Sequence, residues 1–264
     1  MTLGMMASDV EQRIDFEALR AYRLGRAREQ MEKYDLGALL CFDQDNIRYI
    51  TNTHLAEWAR GKYWRWCLLP RDGEPVLFEV GTAATVKRVL CPWLKPENIR
   101  PAMGWMRGAN VRAANVRLSN DAVAEIKAIL EEHKVADMPI GIDETEMYLL
   151  DALEAAGLQV TNGYDAMFDA RIIKSPEELK IIEISAALVD GVYAELAHFI
   201  RPGIRENQIV GKIYGCAVVI PSKSEGRSMG ANKGPVSAHG DGPAESRNRS
   251  LIRGKLLKLD PRAF

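Results

Sequence analysis

The run Ser175-Pro176-Glu177-Glu178 constrains this chain more tightly than any other stretch, because three helix-start signals coincide in it. Ser175 offers a side-chain oxygen to the first orphan N–H groups. Pro176 sits at the first helical position, where its missing N–H costs nothing, and Glu178 stands where it can return a bond to the backbone of Ser175. Ile181, Ile182, Ile184, Ala187, Leu188, Val192, Leu196 and Phe199 then recur at helical spacing. The pattern predicts a helix of about six turns that ends at Arg201-Pro202-Gly203, with a second helix from about Glu206.

Upstream the chain alternates between helical and extended patterns. Residues 16–34 read as a basic amphipathic helix with Asp15 placed to cap it, and the apolar run Ala38-Leu39-Leu40-Cys41-Phe42 reads as a buried strand. A short helix is expected over 43–50, followed by strands at 63–69 and 76–80 joined by the turn Pro70-Arg71-Asp72-Gly73-Glu74-Pro75. Alternation over 63–67 would send Trp64 and Trp66 to one face. Further on come a helix at 83–90, a strand at 99–102, a helix at 120–133, a strand at 139–142, a helix at 144–156 and a strand at 158–161. Such an order means an α/β (α+β) fold, a mixed sheet with helices on its faces.

Composition limits the partners. With 47% hydrophobic and 27% charged residues the chain has ample core material, and its formal net charge of -1 gives no bulk attraction to nucleic acid or to an anionic membrane. No apolar run approaches the length of a membrane span, and residues 1–10 lack the basic-then-apolar order of a secretory signal. Cys41, Cys67, Cys91 and Cys216 are scattered without a Cys-x-x-Cys pair, which fits reduced thiols and a cytoplasmic location.

The flanks of the long helix carry a resemblance. Arg171-Ile172-Ile173-Lys174-Ser175-Pro176-Glu177-Glu178, the helix, the Arg-Pro-Gly stop and the following helix resemble the opening of the catalytic domain of the M24 metallohydrolases, the creatinase, aminopeptidase P and prolidase family. Leu39-Leu40-Cys41-Phe42 followed by Asn46-Ile47-Arg48-Tyr49-Ile50-Thr51 is similar to the first strand and helix of that family's N-terminal domain. The resemblance implies a creatinase-like N-terminal domain over 1–165 and an incomplete pita-bread domain over 166–264, with a flexible tail from about 221. It also implies a divalent metal pair (Mn, Fe, Co or Zn) held by two Asp, one His and two Glu, between which a bridging water becomes a nucleophile near neutral pH.

Against that ligand set, the segment Leu251-Ile252-Arg253-Gly254-Lys255-Leu256-Leu257-Lys258-Leu259-Asp260 is similar to the strand presenting the first metal Asp, so Asp260 is the one candidate metal ligand. No metal pair is expected to be bound by this chain. His239 lies upstream at a separation loosely similar to that of the family's substrate-binding His, which stabilises charge on a polarised carbonyl; its neighbours Ser237, Ala238, Gly240, Asp241 and Gly242 lack the apolar strand character of that site and favour a solvated loop. From 221 onward four Lys and five Arg face four acids among sixteen Gly, Ser and Pro, which is poor core material.

An aromatic and cationic cluster, His54, Trp58, Arg60, Lys62, Tyr63, Trp64 and Trp66, reads either as plain sheet packing or, through the resemblance, as a segment completing the substrate pocket of a dimer partner. His54, Trp58 and Tyr63 are the candidate substrate-binding residues, the aromatics suited to an onium group by cation–π attraction. Two function classes follow. One is an M24 metallohydrolase homologue cleaving a C–N bond of a small-molecule or peptide substrate, inactive as this chain, or a lyase relative acting on a small onium compound. The other is a non-catalytic remnant or interaction module. Ile181, Ile184, Leu188, Val192 and Leu196 are expected to form a partly uncovered face that favours a homo-oligomer.

Overall fold

The computed structural model describes residues 14–54, 64–102 and 111–219. Trp58, Tyr63, His239, Asp260 and the expected tail lie outside them. The chain divides into two compact units, residues 17–173 and residues 1–16 with 174–264.

The first unit is a six-stranded sheet with helices on both faces. Its elements are α1 (Phe16–Lys33), β1 (Ala38–Cys41), α2 (Gln44–Thr51), β2 (Trp66–Pro70), β3 (Val76–Glu79), α3 (Ala83–Leu90), β4 (Ile99–Pro101), α4 (Arg112–Glu132), β5 (Ile140–Ile142), α5 (Met147–Ala155), β6 (Val160–Asn162) and α6 (Tyr164–Ile172). Strand order is β4-β3-β2-β1-β5-β6. β1 pairs antiparallel with β2, Leu40 opposite Leu68, and parallel with β5, Leu40 opposite Ile142. β3 pairs antiparallel with β2, while β4 and β6 join parallel at the two edges.

Because strand side chains alternate, each central strand serves two cores at once. Ala38, Leu40, Trp66, Leu68, Val76 and Phe78 pack with α4 and α5 through Ala122, Ile126, Leu130, Leu149 and Leu153. Leu39, Cys41, Cys67, Leu69 and Leu77 pack on the other face with Ala27 and Met31 of α1, Ile47 of α2, and Met167 of α6. Trp66 stacks on Phe78 with ring centroids 3.5 Å apart. The expected sharing of one face by Trp64 and Trp66 is not found: Trp64 sits in a turn, half-buried, and the strand begins at Trp66. The chain reaches β2 through Arg65, whose side chain goes to a polar cluster rather than to the sheet's apolar faces.

Two helical stretches escape the apolar periodicity of the sequence. α4 begins at Arg112, eight residues before the expected start, because Asn115 and Ser119 occupy buried positions on its inner face where apolar residues would have signalled a helix. α6 is absent from the expectation altogether; its buried residues are the small or unbranched Ala166, Met167 and Ala170, and it begins where the backbone of Gly163 meets that of Gly141. A Cβ on Gly163 would stand 2.4 Å from the carbonyl carbon of Gly141, so the close approach of α6 to β5 requires the missing side chain.

In the second unit, α7 (Pro176–Phe199) carries the capping box read from the sequence: Ser175 Oγ accepts from Glu178 N at 3.1 Å, and Ser175 N donates to Glu178 Oε2 at 3.0 Å. α8 (Glu206–Val219) returns alongside it, with Val192 and Leu196 packed against Ile209 and Ile213. Of the face expected to be partly uncovered, Leu188, Val192 and Leu196 are buried, while Ile181 and Ile184 are half-buried. Leu179 and Ile182 are the apolar residues of α7's first turns that remain exposed.

Candidate functional site

All four of β1, β3, β4 and β5 end, and antiparallel β2 begins, at the same end of the sheet. Two polar clusters occupy that end. The first is built from the residue before β2, the last residue of β3 and the middle of α3. Arg65 Nε donates to Glu79 Oε2 at 2.9 Å, Arg65 Nη1 to Gln44 Oε1 at 2.9 Å, and Arg65 Nη2 to Thr53 Oγ1. Lys87 Nζ lies 3.8 Å from the same Glu79 oxygen and donates to the His54 carbonyl. The other Glu79 oxygen accepts from Val80 N at 3.0 Å. Arg65 and Glu79 are 0% exposed and Lys87 1%, so each charge has exchanged water for protein donors and acceptors. Thr51 Oγ1, 2.6 Å from Thr53 Oγ1, donates to Ile47 O at 2.7 Å and ties the cluster to the C-terminal turn of α2.

The second cluster sits between β1 and β5, where the chain switches from one half of the sheet to the other. In open α/β sheets this crevice at the carboxyl ends of strands commonly takes a ligand. Here it is filled by the protein's own Asp143. One carboxylate oxygen accepts from Phe42 N at 2.8 Å and from Glu144 N at 2.6 Å, the other from Asp43 N at 3.1 Å and from Asn46 Nδ2 at 2.9 Å. Asp43 caps α2 in turn, accepting from Asp45 N and Asn46 N. Burial pushes the Asp143 carboxyl up from its ordinary value, partly offset by its four donors. At the end of β1, Cys41 faces Cys67 across the β1–β2 ladder, and the neighbouring thiol together with burial holds Cys41 well above the usual thiol range.

Of the residues expected to form a site, His54 alone is described; it is half-buried and held through its backbone carbonyl by Lys87. Trp58, Tyr63, His239 and Asp260 lie outside the described residues. Among the described residues no group of three or more His, Cys, Asp or Glu is arranged to hold a metal ion. The carboxylates of the two clusters do not fit that task either, because Glu79 is bonded to Arg65 and Val80 N and Asp143 to four donors. What the described residues can do is fix backbone at the sheet's end. The sequence held a signal for this in Arg65 and Glu79, charges at the boundaries of the apolar runs 66–69 and 76–78, but pairing them across β2 and β3 requires the register of Trp66 opposite Phe78.

The sheet order and the two-sided core can now be set beside known proteins. The sequence model of the creatinase/prolidase N-terminal domain matches residues 23–166. The chain belongs to this family. Dimethylsulfoniopropionate lyase DddP of Roseovarius nubinhibens is 26% identical over 192 residues, 72% of this chain and 42% of the relative. Ectoine hydrolase of Halomonas elongata is 24% identical over 221 residues, 80% of this chain and 52% of the relative. The chain thus spans about half the length of these curated relatives. Among solved structures, an Xaa-Pro dipeptidase from Bacillus anthracis superposes with a TM-score of 0.52 at 14% identity, over 75% of this chain and 48% of the other. A dipeptidase from Pyrococcus horikoshii does so with 0.51 at 19%, over 74% and 49%. At these identities the likeness to the solved structures shows the fold alone. Among the described residues no helix is long and apolar enough to cross a membrane.

Proposed function

We propose that this chain supplies the substrate-positioning N-terminal domain, residues 1–165, and the first helices of the following domain of an M24-type protein acting on a small charged non-peptide compound. The observation that carries this reading is the pairing of a family-domain match over residues 23–166 with two carboxylates, Glu79 and Asp143, already committed to internal bonds: the domain holds backbone in place and leaves metal chemistry to other residues. The names of the two curated relatives, a dimethylsulfoniopropionate lyase and an ectoine hydrolase, support a small charged substrate over an Xaa-Pro peptide. His54, Trp58 and Tyr63 are the residues proposed to meet it, with the aromatics facing the cationic group, an attraction of about 0.5–2 kcal/mol per ring. Of the family's five metal ligands, Asp260 is the one proposed to have a counterpart within these residues.

Calorimetric titration of the chain with dimethylsulfoniopropionate, ectoine and an Xaa-Pro dipeptide tests this. Binding of an onium or ectoine probe without conversion, weakened about 2-fold to 30-fold by Trp58→Ala, is the expected result. Cleavage of the dipeptide, or indifference to all three, would overturn it.

A second reading, an interaction module, is favoured by one feature of the first unit. Tyr164, Phe168 and Ile172 follow one another at i, i+4 and i+8 on α6 and are each about half exposed, with the two rings stacked at 6.3 Å. Light scattering of the chain and of Phe168→Asp separates the cases: a dimer converted to a monomer supports the module, and an unchanged monomer removes it.

A further inference from the structure

One buried cluster bonds the backbone of His54 and includes Arg65, the chain neighbour of Trp64. We propose that Arg65, Glu79 and Lys87 are positioning residues that set where His54 and Trp64 stand at the end of the sheet. The proposal rests on the reading that His54 meets a small charged substrate.

Three observations converge. Lys87 Nζ, from α3, donates to the carbonyl of His54, and so acts on the backbone of the residue in question rather than on a remote part of the core. Arg65 is the neighbour of Trp64, and its guanidinium spans three partners, Glu79, Gln44 and Thr53, the last adjacent to His54. A planar fork with three directed bonds fixes direction in a way that a flexible ammonium does not. Finally, one oxygen, Glu79 Oε2, lies within 4 Å of both cations, 2.9 Å from Arg65 Nε and 3.8 Å from Lys87 Nζ, so the stretches around His54 and Trp64 are referred to a single point on β3.

Stability alone does not account for this arrangement. Removing two cations and a carboxylate from water costs more than an apolar cluster of the same volume would, and apolar replacements of buried ion pairs are often neutral or stabilising. Apolar side chains at 65, 79 and 87 would fill the space without directing any bond to Thr53 or to the His54 carbonyl. The cluster is therefore suited to holding these two stretches at a set position, with its desolvation cost offset by hydrogen bonds made there.

The test uses the full chain and two independent variants. Lys87→Met keeps side-chain length and removes the donor to His54, while Thr53→Val removes one of the three acceptors of Arg65 without altering any charge. Hydrogen exchange followed by mass spectrometry is expected to show exchange at residues 52–54 and 64–66 faster by about ten-fold in each variant, with β5, α4 and α5 unchanged. A uniform rise across residues 17–173, or no change at these two stretches, would overturn the proposal. Lys87→Arg, which restores a donor, is expected to return exchange at 52–54 to within about two-fold of the parent; failure to do so while folded would also count against it. With ring-labelled histidine, of which the chain has four, the His54 resonance then separates the two layers of the argument. If dimethylsulfoniopropionate or ectoine shifts that resonance and Lys87→Met weakens the apparent affinity by about ten-fold, both stand. If neither probe shifts it in the parent chain while the localised exchange is seen, the substrate reading falls and the positioning role remains.

Discussion

Replacing Asp143 should loosen the first unit, and the size of the effect follows from its bonds. In Asp143→Ala the N–H groups of Phe42, Asp43 and Glu144 and the Asn46 amide lose their acceptor. Phe42 and Asn46 are 3% and 0% exposed, so water reaches them only by opening the turn between β1 and α2. An orphaned buried donor costs about 1–3 kcal/mol, and the half-exposed Asp43 and exposed Glu144 add less, which gives a loss of about 3–5 kcal/mol. Against a total of about 5–15 kcal/mol for a domain, that is a large share. Asp143→Asn keeps the shape and one acceptor oxygen and should lose about 1–2 kcal/mol. Urea unfolding monitored by circular dichroism, with slopes compared to exclude a change in the unfolded state, gives both values. The pH dependence has a definite sign. Burial raises the native value of Asp143 above its ordinary 3.8, so its contribution to stability is complete below that value and is lost as pH rises through the native one. The advantage of the parent over Asp143→Asn should therefore shrink as pH rises above about 4. A cost for Asp143→Ala below about 1 kcal/mol, or an advantage that grows with pH over this range, would refute the account of this crevice.

Gly163→Ala should cost about 1–3 kcal/mol, because its new Cβ would stand 2.4 Å from the backbone of Gly141 and a backbone neighbour does not rotate aside; thermal melting of the variant checks it. Ser175→Ala removes one half of the capping box and should cost about 1 kcal/mol, read as faster exchange in the first turns of α7 with the sheet unaffected. The chain of 264 residues should retain no stoichiometric pair of transition metals after dialysis, since Asp260 cannot hold two ions unaided; elemental analysis showing two per chain, lost in Asp260→Ala, would reverse this.

Elements whose signals are local are legible in the amino-acid order alone. The capping box at Ser175, the strand at 38–41, the hairpin around 70–75 and the helix at 83–90 are all dictated by nearest neighbours, turn chemistry and apolar period, and each stands where those signals put it. Signals of this kind fail where the inner face of a helix is polar or small, as at Asn115, Ser119, Ala166 and Ala170, because the periodicity then carries no contrast. His54 was legible as a candidate from its aromatic and basic neighbours, whereas the cluster that fixes its backbone was not. Arg65, Glu79 and Lys87 come from three elements, and nothing in their spacing pairs them; only the β2–β3 register and the placement of α3 bring them within 4 Å. Asp143 likewise reads as an ordinary charged residue after a short strand. It becomes the ligand of its own crevice because β1 and β5, about a hundred residues apart along the chain, lie side by side and parallel. Tertiary structure decided these sites for one physical reason: a buried charge is tolerable only where several distant segments deliver their donors and acceptors to the same place.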